Sequence, residues 1–268
     1  MIDYHIHTPL CNHARGKMGT YVKRAVEKGL HEICFLDHLT ISEPGNRLSM
    51  TPGEVPLYFQ AIQNLKQTFR GDISIKAGLE VDFSPEHADL IKQITETFSF
   101  DVIGGSLHFP GNIDIVNSRS GWKQGSLDTN DVYRLYFSQL KTMLEYDYFD
   151  VICHIDLPKK FGRKPSINFE KEFDEILTVI RDKNFTVELN TSGYNHPVSE
   201  AYPAFDMIKK CQKSGVSMTL GSDAHHPDDV GRHFGRAISL LRSAGYTKLA
   251  SFTERRRMDI PIENLTGV

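Results

Sequence analysis

The chain has 268 residues, 40% hydrophobic and 24% charged, with a formal net charge of −3 and a pI near 6.5. Such a mildly acidic balance offers no basic footprint for nucleic acid and no basic face for a membrane surface. No apolar run approaches the roughly 18 residues of a spanning helix, no basic-then-apolar leader opens the chain, and Cys11, Cys34, Cys153 and Cys211 show neither CxxC nor disulfide-framework spacing, which points to a reduced, cytoplasmic setting.

Short β-branched runs alternate with amphipathic segments from the first residues onward. "IDYHIH" (2–7) reads as a strand, and its period of two puts His5 and His7 on one face. His13 follows in the next loop. A helix over 18–30 leads to "EICFLDH" (32–38), which ends in Asp37 and His38. A helix over 54–70 precedes "ISIKAGLEVDF" (73–83), with Glu80 late in the strand. A helix over 85–98 precedes "DVIGGSLHF" (101–109), which ends near His108. A helix over 128–147 precedes "FDVICHI" (149–155), with His154 at its end. A helix over 168–183 precedes "FTVELNT" (185–191), which ends in Asn190 and Thr191. A helix over 204–214 precedes "VSMTLGSD" (216–223), where Asp223 and His225 mark the strand end, and a helix over 232–244 follows. Asp128 and Asn168 suit N-caps, and Gly29, Asn184, Gly215 and Gly245 suit C-terminal stops.

This alternation calls for parallel strands joined by right-handed crossovers. Seven units in an unbroken run fit one α/β barrel over 1–268 better than two domains. Parallel barrels build their sites at the C-terminal strand ends, where the βα loops converge. Here almost every strand delivers a ligand-type residue to that end. Taken alone, each residue has a plain structural reading: a rim histidine, a salt-bridge glutamate, an N-cap aspartate. Taken together, His5, His7, His13, His38, Glu80, His108, His154, Asp223 and His225 read as a metal centre. Nine ligands rich in imidazole exceed one tetrahedral zinc and suit two or three ions of zinc, iron or manganese rather than calcium or magnesium. Paired ions held about 3.5–4 Å apart clamp a water between them and lower its pKa to about 7, which supplies hydroxide at neutral pH. Cys11 reads as a loop thiol rather than a ligand. His31 suits a helix C-terminus and His87 a solvated first turn, while His233 suits either the surface or the lining of the site.

The segments "DYHIHT", "CNHARG", "LDH", "GLEVDF", "GSLHF", "CHID" and "GSDAHH" come in the order and spacing of the PHP (polymerase and histidinol phosphatase) superfamily, which the chain resembles over residues 2 to about 250. The resemblance implies a distorted, TIM-like (β/α)7 barrel, the PHP fold, with a trinuclear centre. His5, His7, Glu80 and Asp223 would hold the first ion. Glu80 would bridge to a second ion held by His108 and His154. His13, His38 and His225 would hold the third. One departure is Cys153, where the family's motif usually has glycine.

Length and "TPLCNHARG" look like the stand-alone histidinol-phosphatase group, which converts L-histidinol phosphate to L-histidinol and phosphate in histidine biosynthesis. The expected activity is therefore that of a phosphomonoesterase on a small phosphorylated substrate, with a bridging hydroxide as nucleophile. Glu80 and Asp223 would serve catalysis through the metals. In this group the loop after the fifth strand supplies an arginine to phosphate, and Arg163 in "DLPKKFGRKP" is the candidate, against a solvated basic loop. The loop "RSGWKQG" is a weaker second candidate. Asn190, Thr191, His196 and His226 are the remaining substrate-contact candidates, and His226, His196 or a metal-bound water the proton donors. Asp37 and Asp156 read as groups that orient metal-binding histidines. The competing readings are a PHP phosphoesterase for a nucleotide, sugar phosphate or phosphotyrosine, a metal-dependent amidohydrolase, and a non-catalytic barrel. GxSxG, HExxH and P-loop motifs are absent.

Overall fold

A computed structural model describes residues 1–264. Among these, seven parallel strands form one sheet in chain order: β1 (Ile2–Ile6), β2 (Glu32–Leu39), β3 (Ser74–Asp82), β4 (Val102–Ser106), β5 (Val151–Ile152), β6 (Thr186–Asn190) and β7 (Ser217–Gly221). The sheet curls until its edges meet. His7 N–H donates to the Ala224 carbonyl at 3.0 Å, and Ala224 N–H donates to the His5 carbonyl at 3.2 Å. These bonds join β1 to the segment after β7 and draw the strands into a nearly closed (β/α)7 barrel. The α/β architecture is thus the TIM-like one expected.

The helices are α1 (Met18–Glu27), α2 (Val55–Thr68), α3 (Ala88–Thr97), α4 (Gly121–Gln124), α5 (Thr129–Met143), α6 (Glu170–Asp182), α7 (Phe205–Lys213) and α8 (Phe234–Ala244). Each long helix buries a stripe at helical spacing, as Phe173, Ile176, Leu177 and Ile180 do on α6. Asp128 caps α5 by accepting from Asp131 N–H at 3.0 Å. Asn168 accepts from Glu170 N–H at 2.7 Å but lies two residues ahead of the helix start, so Phe169 and not Asn168 takes the N-cap position. Gly215 and Gly245 follow α7 and α8 at φ 73° and 96°, the left-handed stop that glycine favours.

Strand β5 is much shorter than the 149–155 read from the sequence. At His154 the backbone turns to φ 25°, and the chain leaves the ladder for a tight turn over Leu157–Phe161. Outside the seven units lies an antiparallel hairpin that the periodicity did not reveal, β8 (Lys248–Thr253) and β9 (Arg256–Pro261). Phe252 N–H donates to Tyr4 Oη at 2.6 Å, and Lys76 Nζ donates to Thr253 Oγ1 at 2.7 Å. Arg255 pairs with Asp150, just ahead of β5. The hairpin therefore covers the N-terminal end of the barrel and leaves the opposite end to the loops. No helix among the described residues is long and apolar enough to cross a membrane.

Candidate metal centre

Strand register builds the heart of the site. In the β2–β3 ladder His38 lies opposite Glu80, and in the β3–β4 ladder Glu80 lies opposite Gly104. Glu80 is fully buried, and its two oxygens face five imidazoles. Oε1 lies 2.7 Å from His154 Nε2 and 3.5 Å from His108 Nε2. Oε2 lies 2.7 Å from His38 Nδ1, 3.4 Å from His5 Nε2 and 3.7 Å from His7 Nε2. Asp223 closes the ring from the β7 end, 3.0 Å from His7 Nε2 and 4.0 Å from His5 Nε2. His225 stacks on His7 at 4.0 Å between ring centroids, and His13 packs 4.5 Å from His225. All nine ligand candidates thus meet in one cluster.

Groups behind the rings decide which nitrogen faces the centre. His5 Nδ1 donates to Glu188 at 2.6 Å, and His7 Nδ1 donates to Asp37 at 3.2 Å. The Cys11 carbonyl accepts from His13 Nδ1 at 2.7 Å, and the Asp223 carbonyl accepts from His225 Nδ1 at 3.1 Å. Carboxylates and carbonyls only accept, so each of these four rings carries its proton on Nδ1 and turns the Nε2 lone pair to the centre. Asp223 sits at φ 54°, and Arg232 Nη2 steadies that turn by donating to its carbonyl at 3.1 Å. Left-handed backbone at His154 and Asp223 is strain placed where ligands must be aimed out of the strands.

The donor set fits divalent ions on three counts. His5 Nε2 is buried with no hydrogen-bond partner, and Glu80 Oε2, though close to three imidazoles, makes no aligned hydrogen bond. His7 Nε2 and Asp223 Oδ1 lie 3.0 Å apart although burial and the neighbouring His38 push the His7 pKa down to about 3. Two acceptors at that distance call for a cation between or beside them. Finally, the electrostatics demand positive charge. Burial opposes ionisation of Glu80, yet His38, His5 and His108 hold it well below the usual carboxylate range. Burial likewise opposes the charge on Asp223, which His5, His7 and His225 outweigh.

A small cavity of about 100 Å³ opens onto this cluster. Beside the ligands its lining includes apolar Leu48, Phe109, Val116 and Leu157 and polar Lys160, Ser192 and His196. Burial and the nearby Lys160 push the His196 pKa down to about 4, so this ring is neutral at pH 7.

The remaining substrate candidates are elsewhere. Arg163 donates to the carbonyls of Trp122 and Leu127 at 3.2 and 3.1 Å and to Thr129 Oγ1 at 2.8 Å, and stacks over the Trp122 ring at 4.6 Å. It fastens the loop around α4 and does not line the cavity. Asn190 bridges Glu188 and Asp223 at 3.1 and 3.4 Å. Thr191 Oγ1 donates to the Arg232 carbonyl at 2.9 Å, inside the fold. His226 is exposed and caps the turn over Pro227–Asp229 by accepting from Asp228 N–H. Asp37 orients His7, but Asp156 binds Lys159 Nζ and Ala204 N–H rather than a histidine. The residues that sequence reading passed over are Lys160, three positions before the arginine chosen in the same loop, and Glu188, a lone charge amid the apolar "FTVELN". Replacing Arg163 is expected to act on stability: Arg163→Ala should lose about 1–3 kcal/mol of unfolding free energy. Metal content should stay at the wild-type value, as thermal unfolding and elemental analysis would show.

The PHP domain model matches residues 3–192 of the chain. A probable histidinol-phosphatase of Deinococcus radiodurans is 33% identical over 247 residues, covering 91% of this chain and 94% of that protein. The histidinol-phosphatase of Lactococcus lactis is 27% identical over 258 residues, covering 94% of each. A crystal structure of the histidinol phosphate phosphatase from Lactococcus lactis, complexed with zinc, L-histidinol and phosphate, superposes with a TM-score of 0.85 at 25% identity, covering 96% of this chain and 98% of that one. The barrel, the histidine-rich centre at its C-terminal end and these likenesses agree: the chain belongs to the PHP domain family, within its histidinol-phosphatase group.

Proposed function

We propose that the chain is a metal-dependent phosphomonoesterase that hydrolyses L-histidinol phosphate to L-histidinol and phosphate, a step of histidine biosynthesis. The observation that carries this reading is the cluster of nine ligands opening onto a cavity beside Lys160. Among the described residues, no carboxylate pairs with this lysine. Its pKa is lowered by burial, against the pull of Asp223, Asp114 and Glu80. A half-buried ammonium that lines the cavity without a fixed carboxylate partner suits a dianionic phosphate.

His5, His7, Glu80 and Asp223 would hold one ion, Glu80 with His108 and His154 a second, and His13, His38 and His225 a third. Zinc is the first metal to test. Bound divalent ions supply Lewis-acid charge to neutralise a phosphoryl group. The chain's own residues then divide the work. Lys160 anchors phosphate oxygens as a point charge. Ser192 Oγ, which donates to Asp223 Oδ2 at 3.0 Å, steadies the carboxylate from the cavity side. Neutral His196 offers a hydrogen bond without adding charge. The apolar wall of Leu48, Phe109 and Leu157 excludes water around the organic part of the substrate.

Steady-state kinetics on metal-loaded enzyme test the assignment. L-histidinol phosphate should exceed p-nitrophenyl phosphate in kcat/KM, despite the better leaving group of the latter, because contacts to the amine and imidazole help position the phosphate. If the generic ester or a nucleotide clearly wins, the substrate assignment fails and the metallophosphatase reading stands. If no phosphate ester is cleaved, both fail.

A further inference from the structure

Strand β6 contributes no residue to the ligand set, yet one of its side chains touches two members of it and reaches a third through Asn190. Glu188 is 1% exposed. Its Oε1 accepts from His5 Nδ1 at 2.6 Å. Its Oε2 accepts from the His154 backbone N–H at 3.0 Å and from Asn190 Nδ2 at 3.1 Å. Asn190 Nδ2 lies 3.4 Å from Asp223 Oδ2 and its Oδ1 accepts from Ser192 N–H at 2.9 Å. The neighbouring strand is shaped around this carboxylate: a Cβ on Gly221 would collide with Glu188 Oε1 and with His5 Cβ.

We propose that Glu188 is a positioning residue that sets the tautomer of His5 and the backbone of His154 together, so that ligands on two sides of Glu80 are aimed by one buried carboxylate. The inference rests on the metal reading of the site. A carboxylate can only accept, so the proton stays on His5 Nδ1, and Nε2 presents its lone pair to the centre with enhanced basicity. His154 holds φ 25°, a conformation that non-glycine residues keep only where their surroundings over-determine it. The bond from its N–H to Glu188 is such a determinant, and the turn it stabilises carries His154 Nε2 to Glu80. Asn190 extends the same network to Asp223.

Chelator titration of the zinc-loaded protein tests this without reference to any substrate. Glu188→Gln keeps the shape but leaves one acceptor oxygen for three donors and sets an amide N–H₂ among them. The chelator concentration that removes half the zinc should fall by about ten- to a hundredfold. The rise in Tm on zinc loading should shrink with it. A merely structural role would lower the Tm of apo and loaded protein equally and leave the chelator midpoint where it is in wild type. That result in a folded variant overturns the proposal. If Glu188→Gln does not fold, Glu188→Asp keeps the charge but withdraws it by one methylene. Its midpoint should then lie below wild type, and an unchanged midpoint overturns the proposal equally. Failure of the wild-type chain to bind zinc takes down the metal reading and this inference with it, whereas an unchanged midpoint in the variants takes down this inference alone.

Discussion

Glu80→Ala should lose more than one equivalent of metal per chain and about a thousandfold or more in kcat. No other side chain in the site faces so many imidazoles. Its oxygens face His154 and His108 on one side and His38, His5 and His7 on the other. Each histidine contributes one nitrogen to the centre, so a single histidine variant removes one ligand. Glu80 contributes two oxygens, and its loss also takes from five imidazoles the one carboxylate that faces them all. Leaving buried charges uncompensated is strongly destabilising, by about 3–5 kcal/mol. The alanine variant should therefore be less stable as well as metal-poor. Glu80→Gln separates the two effects, because it keeps the volume and removes only the charge and one acceptor. It should fold, yet still bind less metal by elemental analysis. Wild-type metal content and turnover in both variants would remove Glu80 from the centre.

Lys160→Ala should reduce kcat/KM on the best phosphate substrate by about ten- to a few hundredfold, with metal content unchanged. A hydrogen bond to an ionised group contributes about 1.5–3 kcal/mol, and about 1.4 kcal/mol corresponds to tenfold in rate. Lys160 lines the cavity that opens onto the ligands, and its ammonium has no fixed carboxylate partner among the described residues. Arg163 in the same loop provides the contrast. Its guanidinium is occupied by Trp122, Leu127 and Thr129, so Arg163→Ala should lower Tm while kcat/KM stays within about threefold of wild type. If Arg163→Ala is the variant that loses activity and Lys160→Ala the one that keeps it, the phosphate anchor is Arg163 after all.

The sequence by itself determined the architecture and the chemical character of the site. Parallel strands need crossovers, crossovers here are helices, and the spacing of apolar residues announces both. Metal chemistry needs imidazoles and carboxylates at the strand ends, and His5, His7, Glu80 and Asp223 show that need in the residue types alone. The C-terminal hairpin escaped because its strands lack the alternation that marks a half-buried strand: Leu249, Ala250, Ser251 and Phe252 are all buried in succession. The short β5 escaped because its end is set by the turn at His154, which a backbone contact to Glu188 holds.

Tertiary structure alone decided which polar residue does what. Arg163 and Lys160 are three positions apart and both cationic, yet one bonds inward to Trp122 and the other lines the cavity, because the turn over Leu157–Phe161 aims them differently. His225 and His226 are adjacent, and the turn at Asp223 sends one into the centre and the other to solvent. Glu188 has no ligand spacing at all. Its role exists only because closure of the barrel brings β1, β6 and the end of β5 to one point. Residue type sets what a side chain can donate or accept, but its direction is set by register and backbone turns, which depend on contacts between residues far apart in the chain.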